Sequence, residues 1–192
     1  VELVKAEYEP VSLDDERKSD ASVIKRLAQI SGKEPEHIVC DVCDQQKLES
    51  VFETYSISGV IHFAAYKAVG ESVENPLKYY SNNISGLNSI LKIIENFPEI
   101  PFVFSSSCTV YGEPNGIKEV DENAKKAIPT SPYGYTKWLG EQIIKDLFNS
   151  QKKLKMMSLR YFNPIGAHES AMIGELPVGK PNNLLPFITQ TA

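Results

Sequence analysis

The sequence predicts an α/β protein in which a parallel sheet is covered by helices on both faces. Three observations carry that prediction. Short apolar runs rich in β-branched residues alternate with longer segments whose apolar residues recur at helical spacing, the pattern of βαβ units. No internal repeat or low-complexity tract interrupts the alternation. The residues with chemistry to offer fall just after the apolar runs, and right-handed crossovers bring those strand ends to the edge where ligands of such folds bind.

The elements follow in order. Pro10 to Leu13 closes a first strand. Val23, Leu27 and Ile30 mark one face of a helix that Gly32 and Pro35 end. His37 to Cys40 is the next strand, and Leu48, Val51, Phe52 and Tyr55 lie on a helix with Asp44 as its N-cap. Gly59 to Phe63 reads as a buried strand. Pro76 opens a long helical segment carrying Leu87, Ile90, Leu91 and Ile94, which stops before Pro98. Pro101 to Phe104 is a strand, a loop with Gly112, Pro114, Gly116 and Pro129 follows, and a helix runs from about Tyr133 to Phe148. Leu154 to Tyr161 is a further strand. Beyond it the chain is Gly- and Pro-rich up to a short apolar segment, Leu184 to Ala192.

Composition narrows the function. With 192 residues, 42% hydrophobic and 23% charged, the chain has the makeup of a globular domain and not of a disordered or fibrous one. A net charge of -5 provides no basic field for nucleic acid or anionic lipid. No apolar run approaches the ~18 residues of a membrane span. Glu2, Lys5, Glu7 and Glu9 make the start unlike a signal peptide, so a cytoplasmic location is expected. Cys40, Cys43 and Cys108 are too few for a secreted disulfide framework. Cys40 and Cys43 have C-x-x-C spacing, a weak motif alone, and read as two cysteines at a strand end. With His37 as the nearby ligand they cannot close a tetrahedral zinc site, and no metal is expected.

The strand ends hold the candidate site. Asp14 and Asp15 follow the first strand, where acidic residues take the hydroxyls of a nucleotide ribose; they would equally suit a solvated loop. Ala64, Ala65, Tyr66 and Lys67, with Gly70, follow the Phe63 strand end and let backbone approach a flat ligand. Ser105 to Gly112 follows Phe104, and Ser131-Pro-Tyr133-Gly-Tyr-Thr-Lys137 opens the next helix. Tyr133 and Lys137, four apart, share a helix face. An ammonium beside a phenol favours the phenolate, which can exchange a proton with a substrate hydroxyl. Such a pair also arises by chance; it gains weight here from the serines and the acids at the other strand ends.

Five blocks together carry a resemblance: Val60-Ile-His-Phe-Ala-Ala-Tyr-Lys-Ala-Val-Gly-Glu-Ser72; Tyr79-Tyr-Ser-Asn-Asn83; Phe104-Ser-Ser-Ser-Cys-Thr-Val-Tyr-Gly112; Ser131-Pro-Tyr-Gly-Tyr-Thr-Lys137; and Arg160-Tyr-Phe-Asn-Pro-Ile-Gly-Ala-His168 with Pro181-Asn-Asn-Leu-Leu-Pro186. In their order and spacing the chain resembles, over its whole length, the UDP-glucose 4-epimerases of the extended short-chain dehydrogenase/reductase family, fungal members in particular. The resemblance implies a Rossmann-like doubly wound sheet that lacks its first strand and the C-terminal substrate domain. Residues 1–162 would be part of the NAD-binding domain and 163–192 the start of the substrate-binding region.

The family's catalytic trio falls on Ser107, Tyr133 and Lys137. Tyr133 would take the proton of the sugar 4-hydroxyl, Ser107 would bond the reacting oxygen, and Lys137 would hold the nicotinamide ribose and lower the tyrosine pKa. NAD contacts fall on Asp14, Asp15, Asp41, Val42, Phe63, Ala64, Ala65, Tyr66, Lys67, Asn82 and Phe162. Contacts to the substrate, UDP-galactose or UDP-glucose, fall on Asn163, Asn182, Asn183 and Leu184. His62 and His168 are read as structural. A homodimer is implied, paired through the helices Pro76 to Phe97 and Tyr133 to Phe148.

The chain departs from the family at several points. Phe63-Ala-Ala-Tyr-Lys67 replaces the usual Phe-Ala-Gly-Leu-Lys, so Ala65 and Tyr66 are expected to crowd the cofactor loop. Cys108 replaces Ala, Asp15 replaces Asn, and Glu16-Arg-Lys18 does not follow the usual pattern. A T-G-G-x-G-Y-I-G phosphate loop would precede Val1, so the chain is expected to be the middle of a longer enzyme. Two alternatives stay open: a sister dehydratase or decarboxylase, and a truncated fragment that binds at most. Against dehydration, Thr109 is followed by Val110 and Tyr111 where dehydratases carry Asp-Glu.

Overall fold

A computed structural model describes residues 1–113, 119–124, 127–175, 181 and 184–191. The elements run α1 (Glu2–Lys5), β1 (Val11–Asp14), α2 (Ser22–Ser31), β2 (Glu36–Val39), α3 (Gln45–Thr54), β3 (Val60–His62), α4 (Val69–Glu74), α5 (Pro76–Tyr79), a π-helical turn (Tyr80–Ile84), α6 (Ser85–Ile94), β4 (Phe102–Ser107), a 3-10 turn (Cys108–Tyr111), α7 (Pro132–Ser150), β5 (Met156–Tyr161) and α8 (Leu184–Thr191). The expected strand and helix order is present. The chain divides into two compact units, residues 1–41 with 163–192, and residues 42–162.

In the first unit β1 and β2 pair in parallel, Val11 opposite Glu36 and Asp14 opposite Val39, and the Cys40 N–H extends the ladder to the Asp14 carbonyl at 2.9 Å. α2 ends where Gly32, at φ 73°, turns left-handed and donates to the Ala28 carbonyl.

The second unit holds a parallel sheet in the order β3-β4-β5. Among the described residues no ladder joins it to β1 and β2. Its core is Leu87, Ile90, Leu91 and Ile94 of α6, Phe102 and Phe104 of β4, Ile144 of α7, and Ile100 and Leu154 at strand starts. Apolar spacing on α6 aims one face at the sheet, and that burial drives the packing. α7 fits against β4 and α6 because Gly140 has no Cβ: one placed there would lie 2.7 Å from the Phe104 ring and 3.0 Å from Leu87. Asp44 caps α3, accepting the Lys47 N–H at 3.1 Å. On the other sheet face Ile61, Met157 and Leu159 are exposed.

Three local expectations are corrected. The strand expected over Pro101 to Phe104 continues to Ser107, because β5 pairs with all of it, Ser105 opposite Leu159 and Ser107 opposite Tyr161. The long helix from Pro76 is broken by the π turn. α4, only six residues, is too short to show a helical period in sequence. Among the described residues no helix is long and apolar enough to cross a membrane.

Candidate active site

The site grows from the C-terminal end of β4 and the first turn of α7. Ser131 starts α7 as N-cap, its Oγ accepting the Gly134 N–H at 3.1 Å, and Pro132 fills the first helical position where no N–H is needed. Tyr133 and Lys137 therefore stand one turn apart at the beginning of a helix that packs on β4. Ser107, the last residue of β4, accepts the Thr109 N–H at 3.2 Å and the Thr109 hydroxyl at 3.0 Å, and its own hydroxyl favours the Tyr133 anion. The Lys137 ammonium donates to the Ser105 carbonyl at 2.7 Å and lies 5.9 Å from the centre of the Tyr133 ring. Ser107 and Lys137 are buried, Lys137 at only 4% exposure, and Tyr133 on the same turn as Lys137 is half-buried.

The electrostatics differ from expectation in one respect. Burial raises the Tyr133 pKa; the hydrogen bond from Ser107 pulls it down and Cys108 pushes it up, with a net rise. Lys137 is not among the groups that shift it; its ammonium is bonded to the Ser105 carbonyl. Burial also pushes Lys137 down, to about 8, which leaves it mostly an ammonium at neutral pH. Beneath it His62 lies between the rings of Phe102 and Phe104, each 6.1 Å away, and burial followed by the Lys137 charge lowers its pKa to about 3. A neutral, stacked imidazole is a packing residue, as expected.

Residues that sequence reasoning passed over complete the site. Asn83, on the π turn and 6% exposed, accepts the Tyr66 N–H at 2.9 Å and donates to the Tyr66 carbonyl at 3.0 Å and to Thr136 Oγ1 at 3.1 Å. Thr136 in turn donates to the Tyr133 carbonyl at 2.8 Å. One amide thereby ties the 63–67 loop to the first turn of α7. A π turn is a frequent device for re-aiming a side chain at a functional site. Its signal in the sequence was Asn82-Asn83, of which only Asn82 was singled out; Asn82 donates to Asn83 Oδ1 at 3.1 Å.

Glu141 was missed as well. It sits buried between Ser106, whose hydroxyl donates at 2.6 Å, and Arg160, which reaches both carboxylate oxygens at 2.8 and 2.9 Å. Arg160 also donates to Tyr111 Oη at 2.9 Å, and its pKa rises through these bonds. The Tyr111 ring stacks with Phe162 at 6.4 Å.

Of the other expected contacts, Phe63 follows β3 and Phe162 follows β5; both are exposed, at 61% and 62%. Ala64 and Lys67 are exposed and Ala65 is half-buried. The Tyr66 ring packs on Tyr79 at 5.6 Å and under the Lys78 ammonium at 4.3 Å, so its bulk is absorbed by neighbours and does not crowd the loop backbone. Val42 fills the space above Gly86, which a Cβ there would overlap.

Asp14, Asp15 and Asp41 belong to the first unit. Asp14 Oδ1 accepts the Glu16 N–H at 2.7 Å and the Ser19 hydroxyl at 2.6 Å. Asp15 pairs with Arg17, whose hydrogen bonds outweigh burial and lower the carboxyl pKa. Asn163 and Leu184 also fall in that unit and are exposed, while Asn182 and Asn183 lie outside the described residues. None of the three cysteines forms a disulfide with another described residue.

A family model described as GDP-mannose 4,6 dehydratase matches residues 1–191. A UDP-glucose 4-epimerase from Dictyostelium discoideum is 46% identical over 192 residues, 100% of this chain and 55% of that protein. The chain spans about half the length of the curated relatives it matches. The crystal structure of UDP-glucose 4-epimerase from Bifidobacterium longum in complex with NAD+ and UDP aligns with a TM-score of 0.95 at 40% identity, over 98% of this chain and 56% of that one. That of the Stenotrophomonas maltophila enzyme with bound NAD and formylated UDP-arabinopyranose aligns at 0.93 and 42%, with the same coverages. With the trio at the sheet edge and the match running from end to end, the chain belongs to the GDP-mannose 4,6 dehydratase family within the extended short-chain dehydrogenase/reductases, and is similar there to the UDP-glucose 4-epimerases.

Proposed function

We propose that the protein inverts the configuration at C4 of a UDP-hexose, interconverting UDP-galactose and UDP-glucose, with NAD as its resident cofactor. The observation that supports it best is the placing of Ser107 at the end of β4 and of Tyr133 and the buried Lys137 one turn apart at the start of α7, with Lys137 bonded to the Ser105 carbonyl, at the edge where parallel sheets bind ligands. The NAD and UDP named for the related epimerase structures point the same way.

The residues present suit the cofactor. Phe63 and Phe162 expose flat apolar surface at the ends of the strands that flank β4, and Ala64 adds no bulk. In the same unit Lys137 offers a cation, and the first unit, taken by itself, presents Asp14, whose carboxylate suits a ribose hydroxyl. NAD, when bound, would supply reversible hydride acceptance from C4. Tyr133 takes the proton of the 4-hydroxyl and gives it back from the same oxygen, while Ser107 bonds the reacting oxygen throughout. A tyrosine raised by burial is a reluctant base, and Ser107 is the neighbouring group of this chain that favours its anion.

A dehydratase is the second reading, because the family model bears that description. The structure supports epimerisation over it: where dehydratases place an acid pair, Val110 is fully buried and Tyr111 is engaged by Arg160. The deciding assay gives UDP-galactose to the full protein with NAD. UDP-glucose is the expected product; a 4-keto-6-deoxy sugar would move the assignment to the dehydratases, and no product at all would sink both. A cytoplasmic location, consistent with cysteines that form no disulfide among the described residues, and pairing of two copies through the α5–α6 segment and α7 belong to the same proposal.

A further inference from the structure

The first unit holds a charge arrangement that catalysis does not use. β1 and β2 are neighbouring parallel strands, and acids leave both ends: Asp14 and Asp15 from β1, Asp41 two residues beyond β2. Arg17 folds back onto them. Its Nε donates to Asp15 Oδ2 at 2.7 Å, and its Nη2 pairs with Asp15 again and with Asp41 Oδ2 at 2.8 Å. The turn that returns it runs through Glu16, held at φ 60° in the left-handed region that a residue with a side chain seldom enters. Asp14 fastens this turn by accepting the Glu16 N–H and the Ser19 hydroxyl on one oxygen, and among the described residues its other oxygen takes no hydrogen bond.

At this edge of a dinucleotide fold an acid receives the 2′-hydroxyl of the adenosine ribose, and an arginine accommodates a 2′-phosphate. This chain has both, but the arginine is occupied by two carboxylates. We propose that Arg17 decides between the two adenine dinucleotides: it is a 2′-phosphate ligand silenced by Asp15 and Asp41, so that NADP is refused by a locked arginine and not by a missing one. The inference rests on the dinucleotide reading above. A 2′-phosphate would have to strip a carboxylate from Arg17 and then sit beside it, one guanidinium against three acids, and guanidinium–carboxylate bonds are among the stronger ones available. A 2′-hydroxyl meets no such opposition and can donate to the open oxygen of Asp14.

The test measures binding, not turnover. Titration calorimetry on the full protein would compare 5′-ADP with 2′,5′-ADP for the wild type, for Asp15→Asn with Asp41→Asn, and for that pair with Arg17→Gln. The wild type should prefer 5′-ADP. Freeing Arg17 in the double variant should shift the affinity ratio toward 2′,5′-ADP by about tenfold or more, the size of one charge-assisted contact. Adding Arg17→Gln should cancel the shift. An unchanged ratio in a double variant that still binds 5′-ADP, or a shift that survives Arg17→Gln, overturns the role of Arg17 and leaves the dinucleotide reading intact. If the double variant fails to fold, Asp41→Asn alone reads the same ratio. Failure of the wild type to bind either nucleotide removes both readings.

Discussion

Tyr133 and His62 show how burial sets chemistry one side chain at a time. In the proposed reaction Tyr133 transfers the proton, and Tyr133→Phe keeps the ring while removing the acid; kcat should fall by about 10^2 to 10^4 with the thermal midpoint little changed. An activity within about threefold of wild type would take Tyr133 out of the chemistry. His62 carries a pH signature. Its folded pKa is about 3 against the ordinary value of 6.5, so the unfolded chain binds more protons between those values and stability is lost as the pH falls from 6.5 toward 3. The stability gap between wild type and His62→Phe, followed by urea melts, should be constant above pH 7 and move against the wild type below 6.5; a gap flat to pH 4 would contradict a neutral buried imidazole. At this scale Ser107 came only with the family resemblance, whereas the Tyr133–Lys137 pair was legible from residue type and spacing. The direction of the Tyr133 shift was not, because it depends on how far tertiary packing removes the phenol from water, and four-residue spacing says nothing of where the Lys137 ammonium is tied.

α7 is the element on which the site turns, and two of its contacts make predictions. Ser131→Ala removes the cap of the turn that carries Tyr133 and should cost about 1 kcal/mol of stability. Gly140→Ala drives a methyl into the Phe104 ring and should cost about 1–3 kcal/mol as the core shifts. Denaturant midpoints check both; a Gly140→Ala variant as stable as wild type would mean that α7 slides over β4 at no cost. Element existence was readable because amphipathic spacing and caps such as Asp44 and Gly32 are local. The π turn at Tyr80–Ile84 was not readable, since it arises where Asn83 satisfies the Tyr66 backbone across 17 residues of sequence. Neither was the extension of β4 through Ser107, which depends on its partner β5.

Across the whole molecule the two units differ in how deeply their strands are covered. β4 alternates buried and half-buried positions under α6 and α7, whereas no residue of β1 or β2 is fully buried in a sheet of only two strands. Two-stranded sheets are marginal alone. Native-state hydrogen exchange should therefore find the amides of β4 and α6 protected longest and those of β1 and β2 exchanging through smaller openings; equal protection would mean that the chain opens as one cooperative block. The Asn83 clamp has a further bearing on how such a molecule tolerates change. Because it grips residue 66 by main-chain N–H and carbonyl, the side chain there is not what keeps the loop in place. A saturation library should accept diverse residues at position 66 and reject nearly all at position 83, so that sequence drift accumulates beside the site while its geometry is inherited unaltered.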